Sequence, residues 1–168
     1  MRLPDSVRSF TINLYLVQHG KAATKETDPL RPLTEEGRND VQKVAEFIKP
    51  LSLRVDCLWH SGKTRAAQTA EILATVVKSN KATSQRQGLA PNDDVTALKD
   101  ELSMTENDIM IVGHLPFLGK LASLLTADCE SAEVVEFKQG GILCLNRRED
   151  KKWHIGWMII PELLKTVK

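Results

Sequence analysis

The stretch Ile12–Gly20, "INLYLVQHG", decides how the chain is to be read. Six apolar-rich residues, bulky and close to unbroken, have the length and composition of a strand covered on both faces, and a histidine and a glycine follow at once. A strand that ends on a histidine places that side chain at the carboxyl edge of a sheet, where open α/β sheets gather their ligands. Two further runs repeat the pattern. "VDCLW", Val55–Trp59, leads into "HSGKTRAAQTA", and "IMIV", Ile109–Val112, leads into Gly113-His114.

Segments of helical period separate these strands. Thr34–Ile48 places Val41, Val44, Ala45 and Ile48 three and four residues apart, opens with a capping threonine and two glutamates, and ends near Pro50. Thr64–Val77 is an alanine-rich second helix, and Leu115–Leu125 is a third, with Pro116 tolerated in its first turn. "DDVTALKDEL" predicts a short helix with Asp93 near its cap, inside the otherwise polar, turn-rich region 79–103. At the end, "GGILCLNRRED" and "KWHIGWMIIPELL" read as two strands joined by a charged turn, a hairpin that finishes the sheet. Alternation of strand and helix predicts an α/β fold: a three-layer α/β/α sandwich around a mainly parallel central sheet.

Bulk properties narrow the function classes. The chain has 168 residues, 42% of them hydrophobic and 27% charged, which suits one domain over 1–168 with residues 1–10 as a mobile leader. Its 23 Lys+Arg against 22 Asp+Glu leave a formal charge of +1, so composition points to neither nucleic acid nor a membrane surface as partner. No apolar run reaches membrane-spanning length, and no signal-peptide pattern precedes Ile12. Cys57, Cys129 and Cys144 are odd in number and unpaired in spacing, as expected of reduced thiols in a cytoplasmic protein.

His19, Arg65 and His114 therefore converge on one sheet edge, with Ser61 and a helix N-terminus beside them. That inventory suits binding and transfer of a phosphoryl group without a metal or other cofactor. A neutral imidazole is a capable nucleophile near pH 7 when its other nitrogen is held as a donor, and a guanidinium is a charged fork fitted to phosphate oxygens. Gly20 is expected to let the backbone approach the ligand. "SGKT" is not a P-loop, because Cys57 stands where the loop would need a glycine. Zinc is rejected, since "CLWH" runs along a strand and no second ligand pair follows; His60 and His154 read as structural.

"LVQHG", "SGKTRAAQTA" and "VGHLP" resemble, in order and spacing, the three signature blocks of the histidine phosphatase superfamily, and "DPLRPLTEEGR" resembles the segment after the first block in its small SixA-type members. The resemblance implies a phosphoglycerate-mutase-like fold, His19 as nucleophile, and Arg65 and His114 as the groups that hold the phosphoryl oxygens. It places Gln18 where the family has a second phosphate-binding arginine, and it makes Arg31 a candidate substrate contact, the alternative being a salt bridge to Asp28. Lys21 is a weaker candidate to return the missing charge. Members that cleave phosphate esters carry a glutamate after the polar middle region; here the comparable place reads "RQGLAP", with Gly88 at the position of the acid. Both departures favour a phosphoramidate over an ester. The implied substrate is phosphohistidine on a protein, such as a histidine-containing phosphotransfer domain. The alternatives are a small phosphorylated metabolite, or a non-catalytic module that binds phosphate or a phosphoprotein.

Overall fold

The computed structural model describes residues 10–164, so all of the expected leader except Phe10 lies outside the described residues. Strand β1 (Ile12–Gln18) is followed by helix α1 (Glu35–Ile48), then β2 (Arg54–Val55), β3 (Cys57–His60), α2 (Thr64–Ala74), β4 (Lys78–Ser79) and β5 (Ser84–Gln85). Helix α3 (Thr96–Met104), β6 (Ile109–Gly113), α4 (Phe117–Ala127), β7 (Ile142–Arg147) and β8 (Trp153–Ile159) complete the order.

Six strands form one sheet in the order β5-β3-β6-β1-β7-β8. Pairings β1·β6, β3·β6 and β3·β5 are parallel, whereas β7 is antiparallel to both β1 and β8, so β7 is the one reversed strand of this sheet. The expected hairpin is present, and the sheet is mainly parallel.

Side-chain alternation along β1 and β6 divides the core in two. Leu14, Leu16, Ile109 and Ile111 pack with Leu98 and Leu102 of α3 and with Phe117 and Leu121 of α4. Their neighbours Tyr15, Val17, Met110 and Val112 pack with Val41 and Val44 of α1 and with Ala66 and Ala70 of α2. Two helices thus cover each face, which is the three-layer sandwich expected from the sequence.

Helix α1 starts as its sequence predicts: the Thr34 hydroxyl accepts the Gly37 N–H at 3.0 Å. Elsewhere the boundaries shift for local reasons. The run Val55–Trp59 is not one strand, because Asp56 interrupts it. Its carboxylate accepts the Asp108 N–H at 2.9 Å and the Asn80 side-chain amide at 2.7 Å, and the chain passes there from the small β2·β4 sheet into the main one. Helix α2 ends at Ala74 rather than Val77, where the Thr75 hydroxyl donates to the Ile72 carbonyl. The short helix α3 exists, but Asp94, not Asp93, serves its start by accepting both the N–H and the hydroxyl of Thr96. Asp93 instead closes the preceding turn by accepting the Ala90 N–H. Pro116 lies just ahead of α4 rather than inside its first turn.

Candidate functional site

The ends of β3, β6 and β1 lie side by side. Gln18 is in register with Gly113, and His60 with Val112, so the residues that follow each strand emerge together. The His19 N–H donates to the Gly113 carbonyl at 3.1 Å and anchors the first turn past β1 to the end of β6.

Two buried histidines face each other there, ring centroids 5.0 Å apart. Nδ1 of His19 lies 2.7 Å from the Gly20 carbonyl, which can only accept, so the proton sits on Nδ1 and the lone pair on Nε2. Arg65, delivered by the first turn of α2, donates from Nε to that Nε2 at 3.3 Å. Across the site His114 is almost fully enclosed; its Nε2 lies 2.6 Å from the Ser61 hydroxyl, and its Nδ1 is buried without a partner. Burial, opposed in part by the Gly20 carbonyl and aided by Arg65 and Arg31, lowers the pKa of His19 to about 4. Burial, then His19 and nearby cations, lowers that of His114 to about 3. Both rings are therefore neutral at pH 7.

The site thus offers an oriented, uncharged imidazole lone pair with a guanidinium directly against it, which can attack and hold a phosphoryl group. Residues 14–90 match the model of the histidine phosphatase superfamily (branch 1). An uncharacterized protein of Picosynechococcus sp. (strain PCC 7002) is 33% identical over 141 residues, covering 80% of this chain and 84% of that one. The chain belongs to the histidine phosphatase superfamily.

Phosphohistidine phosphatase SixA of Escherichia coli (strain K12) is 24% identical to this histidine phosphatase over 162 residues, 94% of this chain and 99% of that protein. Among solved structures, the protein histidine phosphatase SixA complexed with tungstate superposes with a TM-score of 0.80 at 23% identity, covering 92% of this chain and 100% of that one. Phosphoserine phosphatase from Entamoeba histolytica, in complex with 3-phosphoglyceric acid, shares the fold with a TM-score of 0.63 at 16% identity, over 88% and 96% of the two chains.

Each residue singled out in the sequence has a definite place in this histidine phosphatase. Arg31 lies close enough to the site for its charge to help lower the pKa of His19, Arg65 and His114 alike. The alternative salt bridge to Asp28 is not formed: Arg31 Nε donates to the Ala23 carbonyl at 3.0 Å, and Asp28 accepts the Leu30 N–H. Gln18 is buried beside His19 with its Oε1 lacking a hydrogen-bond partner. Lys21 does not replace the missing guanidinium, because it is half-exposed and ion-paired with Glu36. His60 accepts the Gly62 N–H, and His154 pairs with Asp150.

Gly20 also has a packing reason. A Cβ there would lie 2.9 Å from both the Gly37 carbonyl and Val41 Cγ2, so its lack of a side chain lets the turn lie close against α1. Helix α2 also does more than supply Arg65. Thr69 Oγ1 accepts the Gly20 N–H and donates to the Arg65 carbonyl, and Gln68 Oε1 accepts the Leu33 N–H. Arg65, Gln68 and Thr69 are spaced i, i+3 and i+4 on one helix face, the signal from which their common direction follows.

Depressed histidine pKa values link stability to pH. An unfolded histidine titrates near 6.5, so between that value and about 4 the unfolded chain binds more protons than the folded one. Stability should be complete above pH ~6.5 and fall as the pH drops through the folded values. Denaturant midpoints measured from pH 7.5 to 4 check this: the wild type should weaken on acidification, and His19→Ala/His114→Ala should weaken less.

Proposed function

We propose that this histidine phosphatase hydrolyses phosphohistidine on a protein through a phosphorylated His19. Nε2 of His19 attacks phosphorus in line, the bond from phosphorus to the departing imidazole nitrogen breaks, and that imidazole leaves carrying a proton taken from solvent. Water then attacks the phosphorylated His19 and releases phosphate, restoring the free imidazole. For this, the Arg65 fork turns from Nε2 to the phosphoryl oxygens, His114 Nε2–H exchanges the Ser61 hydroxyl for one of them, and Arg31 completes their surround. That a protein of this fold, the histidine phosphatase SixA, forms a complex with tungstate, an oxyanion of phosphate-like shape, supports this reading.

One observation carries the choice of substrate: where ester-cleaving members of the family carry their acid, this chain has Gly88, with no side chain to give up a proton. Gly88 lines a cleft of about 500 Å³ together with Ser61, Asp93 and Asp94, and a Cβ on Gly88 would meet nothing within 4 Å. Asp94 is held ionised by the N–H and hydroxyl of Thr96, and Asp93 is engaged by the Ala90 N–H. An alkoxide leaves poorly without general-acid help worth about 10²–10⁴-fold, whereas a protonated imidazole leaves readily.

The deciding experiment compares a phosphohistidine-labelled protein with sugar phosphates and follows transfer of label to His19. Faster ester turnover would favour a metabolite phosphatase; ligand binding by His19→Ala, with no label ever found on His19, would make the protein a binding module. Gln18 supplies a further prediction. A neutral amide forms weaker bonds to phosphate than a guanidinium does, by about 1–2 kcal/mol. Gln18→Arg should therefore speed ester cleavage by roughly tenfold or more, with a smaller gain on phosphohistidine. Slower cleavage of both would mean that Gln18 is adapted to this site.

A further inference from the structure

The mouth of the site is electrically two-sided. Arg31, Arg65 and Lys63 supply positive charge around the histidines. Leu115, the residue after His114, is 41% exposed and opens into a separate cleft of about 660 Å³ running along the start of α4. Leu115, Pro116, Val135 and the buried Phe137 give it an apolar lining. Its rim is acidic: Glu130, Glu133 and Glu136 stand against Lys120 as the one lining cation.

That excess is local, since the whole chain carries a net charge of only +1. Glu136 is ion-paired with Lys138 at 2.7 Å, but among the described residues no salt bridge engages Glu130 or Glu133. An acidic rim repels phosphate, so the cleft is not an extension of the phosphoryl pocket. What complements it is a segment that brings positive charge and one apolar side chain next to the phosphoryl group.

We propose that this cleft docks the substrate protein itself, through a segment in which an apolar residue flanked by lysine or arginine lies beside the phosphorylated histidine. The proposal rests on the reading that the substrate is a phosphorylated protein. The apolar residue covers the exposed Leu115 and Pro116, and the basic residues meet Glu130 and Glu133. Rim charges act chiefly on encounter and discrimination, so the effect belongs in kcat/KM and weakens with salt.

The test uses the full chain, wild type and Glu130→Lys/Glu133→Lys, both substitutions lying on exposed surface. Three substrates are compared: a phosphohistidine peptide with basic and apolar flanks, the same peptide with acidic flanks, and phosphoramidate. The wild type should prefer the basic peptide by about tenfold in kcat/KM; the double variant should lose that preference through KM and keep its rate on phosphoramidate. Equal preference in wild type and variant would overturn the groove while leaving the phosphatase reading intact. Fluorescence anisotropy with the unphosphorylated basic peptide reads docking apart from chemistry. Where no substrate is turned over, binding to wild type that the variant loses supports the proposal, and absent or unchanged binding overturns it.

Discussion

His19→Ala should lower turnover by roughly four to six orders of magnitude on every phosphoryl substrate, and should abolish the phosphorylated enzyme. The geometry leaves no understudy. His114, 5.0 Å away between ring centroids, has Nε2 against the Ser61 hydroxyl and Nδ1 enclosed, so neither nitrogen presents a free lone pair to a substrate at the mouth. The fold should survive, because the lost side chain contributes only two hydrogen bonds, one to the Gly20 carbonyl and one accepted from Arg65 Nε, each worth about 1 kcal/mol. Stopped assays and a denaturant titration on the same preparation separate the two effects. The wild-type pH profile makes a companion test. With His19 titrating at about 4, its lone pair is available throughout the neutral range, and kcat/KM should show no acid limb from His19 until the pH approaches that value. An acid limb near 6.5 that disappears in a substrate of fixed protonation state would place the titration on the substrate instead.

How much of this the sequence made legible depended on how local each cause is. The apolar run ending at Gln18 and the one ending at Gly113 declared buried strands, and a histidine after each placed both rings on one edge. Arg65 followed from its position at the start of a periodic helix. Less was visible where the cause lies across the fold. Two-residue strands such as Lys78–Ser79 and Ser84–Gln85 are too short to show a period, and they exist because β2 and β3 are there to pair with them. The break at Asp56 depends on Asp108 and Asn80, distant in sequence. Arg31 reaches the site from a left-handed backbone, φ 49°, a conformation that nothing about an arginine advertises. Gly20 was legible only as a glycine that lets the backbone approach a ligand; packing adds that Gly37 and Val41 of α1 leave no room there for a Cβ.

Arg65→Ala should cost about 10³-fold or more in turnover, because the guanidinium is the one charged donor already in contact with the attacking atom. The same substitution carries a second signature that a merely structural residue would not produce. Arg65 is among the charges that hold both histidines below their ordinary pKa, although burial is the larger cause for each. Its removal should raise both values while leaving them under 6.5, so the acid limb of the residual activity moves to higher pH. Arg65→Lys then separates charge from shape. A lysine restores a positive charge but not the planar fork, so it should return the acid limb most of the way to the wild-type position while recovering little of the lost rate. Recovery of rate in step with the limb would mean that Arg65 acts as a point charge alone. A limb unmoved in Arg65→Ala would mean that burial by itself keeps the two imidazoles neutral.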